Sequence, residues 1–203
     1  SAEGLKNIFS TPIMGNYHPI TILTYAIEYS YVRLQPWLYH FDSLLLHILV
    51  TVLVYWFVFK LTGKVVAAAV AALLFGLHPM HIESVAWLAG RKDLVYAAFY
   101  MAACIAYINY VRTEEGKRTK WYIGVIALFI CSLLSKPVAV VLPVTLLLID
   151  YFEQRKFDKK VVIEKLPHFA IAVAFGIRSM IDQRAFGSLI AESQVYNAVE
   201  RIG

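Results

Sequence analysis

Charge is scarce in this sequence, and what there is comes in clumps. Only 16% of the 203 residues are charged, while 60% are hydrophobic. Soluble domains run nearer 25% charged and 45–50% apolar, roughly. A soluble globular class is therefore excluded in favour of a polytopic membrane protein. Cysteine is equally sparse. Cys104 and Cys131 both sit inside apolar runs, which excludes a disulfide framework. There is no P-loop, no zinc-ligand spacing and no stripe of alternating aromatic and basic residues. The net charge of +5 is thus not a nucleic-acid signal. No repeat of 20–50 residues is visible, which argues against a solenoid. The opening SAEGLKNIFSTPIMGNYHP lacks the basic region and apolar core of a signal peptide, and lacks an initiator Met. The closing SQVYNAVERIG stops without a finished element. A fragment is expected, with spans missing at both ends.

Apolar segments dominate what is there. Residues 43–61 are long enough to cross a hydrocarbon core of about 30 Å at about 1.5 Å per residue. Residues 65–78 are Ala-rich and shorter. Residues 94–111 carry Tyr96, Tyr100, Tyr107 and Tyr110, suited to aromatic belts. The long stretch from Trp121 to Phe152 is interrupted only by Lys136, and Pro137 breaks it. Two spans are expected there, 121–134 and 138–152, with a tight turn between. A sixth begins near Pro167 and covers 167–181. The fold expected is an all-α polytopic transmembrane helix bundle of about five to six spans, a single membrane domain. Residues 1–42 form an extracytoplasmic segment, and 78–93 an outer loop with an interfacial helix.

Loop charge orients the bundle. The connectors 60–64, 112–120 and 152–165 share one side and hold eleven Lys and Arg. The other side has Arg91, Lys92, Lys136, Lys6 and Arg33, with Arg178, Arg184 and Arg201 joining if the sixth span exists. The positive-inside rule makes the first set cytoplasmic. Three polar features then converge on the extracytoplasmic face: NYHP at 16–19, the loop HPMHIESVAWLAGRKD at 78–93, and the SKP turn at 135–137.

Each has a plain reading and a chemical one. Pro79 starts a short helix whose Ile82, Val85, Ala86, Trp87 and Ala89 suit a membrane interface. His78 and His81 share a face, and Glu83 lies about 140° round from His78 at about 100° per residue. This is not the i, i+4 pair of a zinc protease. A metal would need further ligands such as His18, His40 or His47, so a divalent ion stays open and no cofactor is assigned. Glu83 suits an acid, a base or an acceptor for sugar hydroxyls. Arg91 and Lys92 either snorkel or bind an anion such as a lipid phosphate. Asp93 suits a cap on the following helix, and Asp42 a cap on the first span. Lys136 either reaches headgroups or binds phosphate from inside. His18, held extended by Pro19, is a weaker member. His47 is read first as a partner for a neighbouring helix.

The segments NYHPIT, YHFDSLLLH, LLFGLHPMHIESVAWLAGRKD, LLSKPVAVVLPVTLLLID and EKLPHF run in the same order as in a known family. The chain resembles the membrane portion of the transmembrane and tetratricopeptide-repeat-containing proteins and their bacterial relatives over nearly its whole length. VYNAVERIG is similar to a later segment there. The resemblance implies a C-type glycosyltransferase fold with a luminal or periplasmic active site. It implies transfer of a sugar from a polyprenyl-phosphate carrier to a protein hydroxyl or glycan acceptor, as in O-mannosylation. It also implies that this chain starts downstream of the family's acidic catalytic motif and lacks its tetratricopeptide repeats. Asp42 stands where that family usually has an amide. The expected site is Glu83, His81 and His78 for catalysis, Arg91, Lys92 and Lys136 for the lipid phosphate, and His18 and Asp93 in support. The expected location is a bacterial inner membrane, or the endoplasmic reticulum if eukaryotic. The expected partners are the lipid-linked sugar, the acceptor and the bilayer, with no nucleic acid. The competing class is a transporter or lipid-binding module without chemistry; a structural assembly subunit is a third.

Overall fold

A computed structural model describes residues 2–10, 15–156 and 158–186. The VYNAVERIG segment, with Arg201, lies outside the described residues. The described chain is all-α. Its helices are α1 (Ala2–Ser10), α2 (Pro19–Val32), α3 (Pro36–Thr62), α4 (Val65–Leu77), α5 (Ile82–Ala86), α6 (Arg91–Arg112), α7 (Thr119–Ser135), α8 (Leu142–Phe152) and α9 (Lys159–Ala185). Short 3-10 turns at Pro79–His81, Leu88–Gly90 and Pro137–Val141 link α4 to α5, α5 to α6 and α7 to α8.

Among the described helices, Pro36–Thr62 and the run Leu88–Arg112 are long and apolar enough to cross a membrane. Val65–Leu77 with Pro79–Ala86 makes a third if taken as one span bent by 52°. Thr119–Ser135 and Pro137–Phe152 are apolar but shorter. The protein is thus an integral membrane helical bundle.

Local chemistry explains the boundaries. Proline at the first helical position starts α2 and α3, where its missing N–H costs nothing. The α3 helix therefore begins seven residues before the expected 43, and Asp42 lies inside it rather than capping it. Gly63, at φ 69°, ends α3 in the left-handed conformation and donates to the Phe59 carbonyl at 2.8 Å. Lys136 is extended, at φ −157° and ψ 126°, because Pro137 follows; α7 stops there, as SKP predicts. Pro167 does not start a helix. The Asp158 carboxylate caps α9 by accepting from the Val161 amide at 2.9 Å, and the helix runs through the proline.

Helix α6 is central: half of its apolar stretch is buried, against 11% for α3. It packs along α7, with Tyr107, Ile108, Phe129, Leu133, Leu142 and Leu146 forming the core. In α4 the small residues Ala68, Ala72 and Gly76 recur every four positions. The first two are buried, and a Cβ on Gly76 would meet Thr51 of α3 at 3.0 Å. Small residues let helix backbones approach closely where lipid supplies no hydrophobic drive. Helix α2 is polar on its inner face. Thr21, Tyr25 and Glu28, at i, i+4 and i+7, bond inward, while Ile27 and Tyr31 are exposed.

Candidate functional site

Most of the expected site residues gather where α6 begins. One group sits where α2, α6 and α7 meet. The Lys136 ammonium, at the end of α7, pairs with the Asp93 carboxylate in the first turn of α6 and lies 5.8 Å from the Tyr96 ring centroid. Asp93 is not the helix cap expected; Gly90 holds that position, and Asp93 serves as the counter-ion of Lys136. His18 stands at the N-terminus of α2, close enough to Lys92 to feel its charge. Burial first, and Lys92 second, hold its imidazole below the usual histidine range. Its Nδ1 lies 3.1 Å from the Asn16 carbonyl. Thr21, three residues on, donates to the Ser135 carbonyl at 3.1 Å and ties α2 to the SKP turn. Lys92 and Lys136 are both partly exposed, as ligand-binding cations must be.

Arg91 points the other way. Expected to meet a phosphate beside Lys92, it is instead turned inward and 0% exposed. Its Nη1 lies 2.5 Å from Glu28 Oε2, its Nη2 donates to the Tyr39 carbonyl at 2.5 Å, and its Nε donates to Ser43 Oγ at 3.1 Å. Its guanidinium lies 4.7 Å from the Tyr25 ring centroid. Successive helical residues differ by about 100°, so the two basic neighbours cannot share a direction. A buried arginine needs partners; Glu28, Tyr39 and Ser43 are those that sequence reasoning missed.

The histidines form a second group. His78 Nδ1 accepts from the Met80 amide at 3.2 Å and caps the Pro79–His81 turn. His81 packs on Phe75, with ring centroids 4.2 Å apart, and lies 5.6 Å from His47. His47 Nε2 is 3.0 Å from the Gly76 carbonyl, joining α3 to α4 as its helix-partner reading expects. His40 is exposed near the start of α3. Among the described residues, no group of three His, Cys, Asp or Glu is placed to hold a metal ion. The Glu83 side chain is exposed on α5. Its carbonyl crowds Gly90, where a Cβ would come within 2.8 Å; only glycine lets α5 fold back so closely on the start of α6. Met80, Ile82 and Trp87 are exposed around it, as an interfacial helix requires.

Comparison with known proteins bears on what this arrangement belongs to. Residues 36–181 match the family model described as dolichyl-phosphate-mannose-protein mannosyltransferase. The chain is 29% identical over 150 residues to Protein O-mannosyl-transferase TMTC2 of Mus musculus, covering 73% of this chain and 18% of that protein. It is 35% identical over 113 residues to Protein O-mannosyl-transferase TMTC3 of Homo sapiens, covering 51% and 12%. It is 31% identical over 145 residues to Protein O-mannosyl-transferase Tmtc1 of Drosophila melanogaster, covering 68% and 16%. The chain thus spans less than a fifth of the length of these relatives. No solved structure matches it. The match runs from the proline that opens α3 to well inside α9, taking in Lys92, Asp93, Lys136 and the histidines of the second group though not His18, and on that extent the chain belongs to the dolichyl-phosphate-mannose-protein mannosyltransferase family.

Proposed function

We propose that this protein is the membrane part of a glycosyltransferase that moves a sugar from a polyprenyl-phosphate carrier to a protein hydroxyl or glycan acceptor. The site faces the extracytoplasmic or luminal side, by the loop-charge bias. The observation that carries the reading is the Lys136–Asp93 ion pair at the start of α6, beside Lys92 in sequence, in a chain of this family.

The chemistry follows from charge. In an inverting transfer a base takes the proton of the acceptor hydroxyl, the hydroxyl oxygen bonds to the anomeric carbon, and the lipid phosphate leaves. Negative charge grows on that phosphate, and pre-placed cations stabilise it. Lys136 and Lys92 take this role, with Asp93 holding the Lys136 ammonium in place before the donor binds. Glu83, with His78 and His81, serves the sugar and acceptor side, Glu83 as the base. Arg91 acts through the scaffold: buried, it fixes the first turn of α6 from which Lys92 and Asp93 project.

The test is transfer by the full-length protein in membranes from a lipid-linked sugar to an acceptor peptide, read by peptide mass. Loss of transfer in both Lys92→Ala and Lys136→Ala, with normal membrane insertion, is expected. Wild-type transfer in the double variant would overturn the assignment.

A further inference from the structure

A polar cleft of about 800 Å³ lies at the end of α6 away from the candidate site. Its walls are Tyr110 of α6, Arg118, Thr119 and Tyr122 at the start of α7, and Lys160 and Glu164 near the start of α9. Arg118 is half-buried and Lys160 exposed, so both charges are within reach of a ligand. The wall is also held in place. Arg118 Nε donates to the Thr113 carbonyl at 2.5 Å, and its guanidinium lies 5.8 Å from the Tyr110 ring centroid. Tyr122 donates its hydroxyl to the Glu164 carbonyl at 2.9 Å. The Glu164 carboxylate is matched in charge by Arg155, 3.1 Å away, which weakens its repulsion of an anion. The two connectors that meet here, 112–120 and 152–165, hold nine Lys and Arg against five Asp and Glu, so the surroundings are positive.

Apolar surface continues from the cleft along both helices. Ile123 follows Thr119 by one turn of α7 and is exposed. Ile163 of α9 lines the cleft and is exposed, with Leu166 exposed one turn further on. A charged mouth at the helix ends thus gives way to an apolar wall. A phospholipid has the same order, phosphate first and acyl chain after. We propose that this cleft binds the phosphate of an anionic phospholipid, with its chains along Ile123, Ile163 and Leu166, and that the lipid bridges α7 and α9. Arginine meets phosphate oxygens with a fork of N–H donors, lysine meets them as a point charge, and Thr119 adds a hydroxyl donor.

Loop charge assigns this end of the bundle to the cytoplasmic side. Cytoplasmic leaflets carry anionic lipid, and basic pockets between membrane helices bind its headgroups. A soluble phosphate offers the same charge but leaves the exposed isoleucines unused. A lipid that binds only the folded bundle stabilises it by mass action. The site is separate from the proposed glycosyl-transfer residues and does not rest on them.

The experiment uses the full-length protein in detergent, stripped of lipid, and measures no transfer. Phosphatidylglycerol, phosphatidylcholine or inorganic phosphate is added back. Native mass spectrometry reads the lipid retained, and a melting curve reads the stabilisation. Phosphatidylglycerol should be retained and should raise the melting temperature, while phosphatidylcholine at the same concentration does neither. Arg118→Ala with Lys160→Ala should weaken retention about tenfold or more, since each charge-assisted bond is a strong one. Arg118 also holds Thr113, so if the double variant fails to fold, Lys160→Ala alone is compared with Lys64→Ala. The latter removes the same charge from the same side of the membrane but outside the cleft, and only Lys160→Ala should lose lipid. Equal retention of the two lipids, equal losses in Lys160→Ala and Lys64→Ala, or stabilisation by inorganic phosphate as large as by phosphatidylglycerol would overturn the proposal.

Discussion

Asp150 and Lys165 form an ion pair 2.7 Å apart, with side chains 0% and 2% exposed, at the opposite end of α6 from the candidate site. Tyr107 donates its hydroxyl to Asp150 Oδ1 at 2.6 Å, and Arg155 Nη1 donates to the same oxygen at 3.0 Å. Arg155 also reaches Glu164 at 3.1 Å. This network ties α6, α8 and α9 together. Removing one partner strands a buried charge, which typically costs about 3–5 kcal/mol. Asp150→Ala should destabilise the bundle by that order, and Asp150→Leu with Lys165→Met should recover most of it. Thermal unfolding of the three proteins in one detergent checks this; equal melting temperatures for wild type and Asp150→Ala would refute it.

Lys136 predicts a different pattern. Its variant Lys136→Ala removes a cation but only a partly exposed ion pair, so stability should change by less than about 1 kcal/mol. Under the proposed chemistry, transfer efficiency should fall roughly tenfold or more, since a charge-assisted bond is worth about 1.5–3 kcal/mol. Initial rates at varied lipid-linked donor, alongside a melting curve, separate the two effects. A stability loss as large as the rate loss would make Lys136 structural.

Glu83→Gln keeps the size and polarity of an exposed side chain, so expression should be unchanged. If Glu83 is the base, turnover should fall by about 10²–10⁴. Normal turnover would remove Glu83 from the mechanism and leave α5 an interfacial helix.

Gly90→Ala probes the fold of the loop. The added Cβ would sit 2.8 Å from the Glu83 carbonyl, against backbone that cannot swing aside. A cost of about 1–3 kcal/mol is expected, with α5 displaced from α6. Unfolding midpoints and proteolysis of residues 82–90 read it out; unchanged values would mean that α5 does not pack on Gly90 as described.

Some of this was legible in the residues. Pro137 beside Lys136 announced the α7–α8 break because proline restricts the residue before it. Pro79 announced a new helical start, and His47 a bond to a neighbouring helix. Other signals misled. Asp42 and Asp93 have the chemistry of caps, but proline at 36 starts α3 earlier and Gly90 starts α6 earlier. Pro167 resembled a helix start, but Asp158 supplies a better one upstream. Nothing in the sequence paired Lys165 with Asp150, which lie fifteen positions apart across a turn.

By itself the sequence determined the all-α membrane class, the break between α7 and α8 and the family, because these depend on local chemistry: apolar length, proline geometry and an ordered string of motifs. Only the tertiary structure decided where each charge went. Arg91 and Lys92 are neighbours with the same charge, yet Arg91 is sealed against Glu28 while Lys92 stays partly exposed near His18. A helix sends adjacent side chains about 100° apart. Which direction is protein and which is open depends on the helices packed alongside, α2 and α3 here, and that is information no local stretch contains.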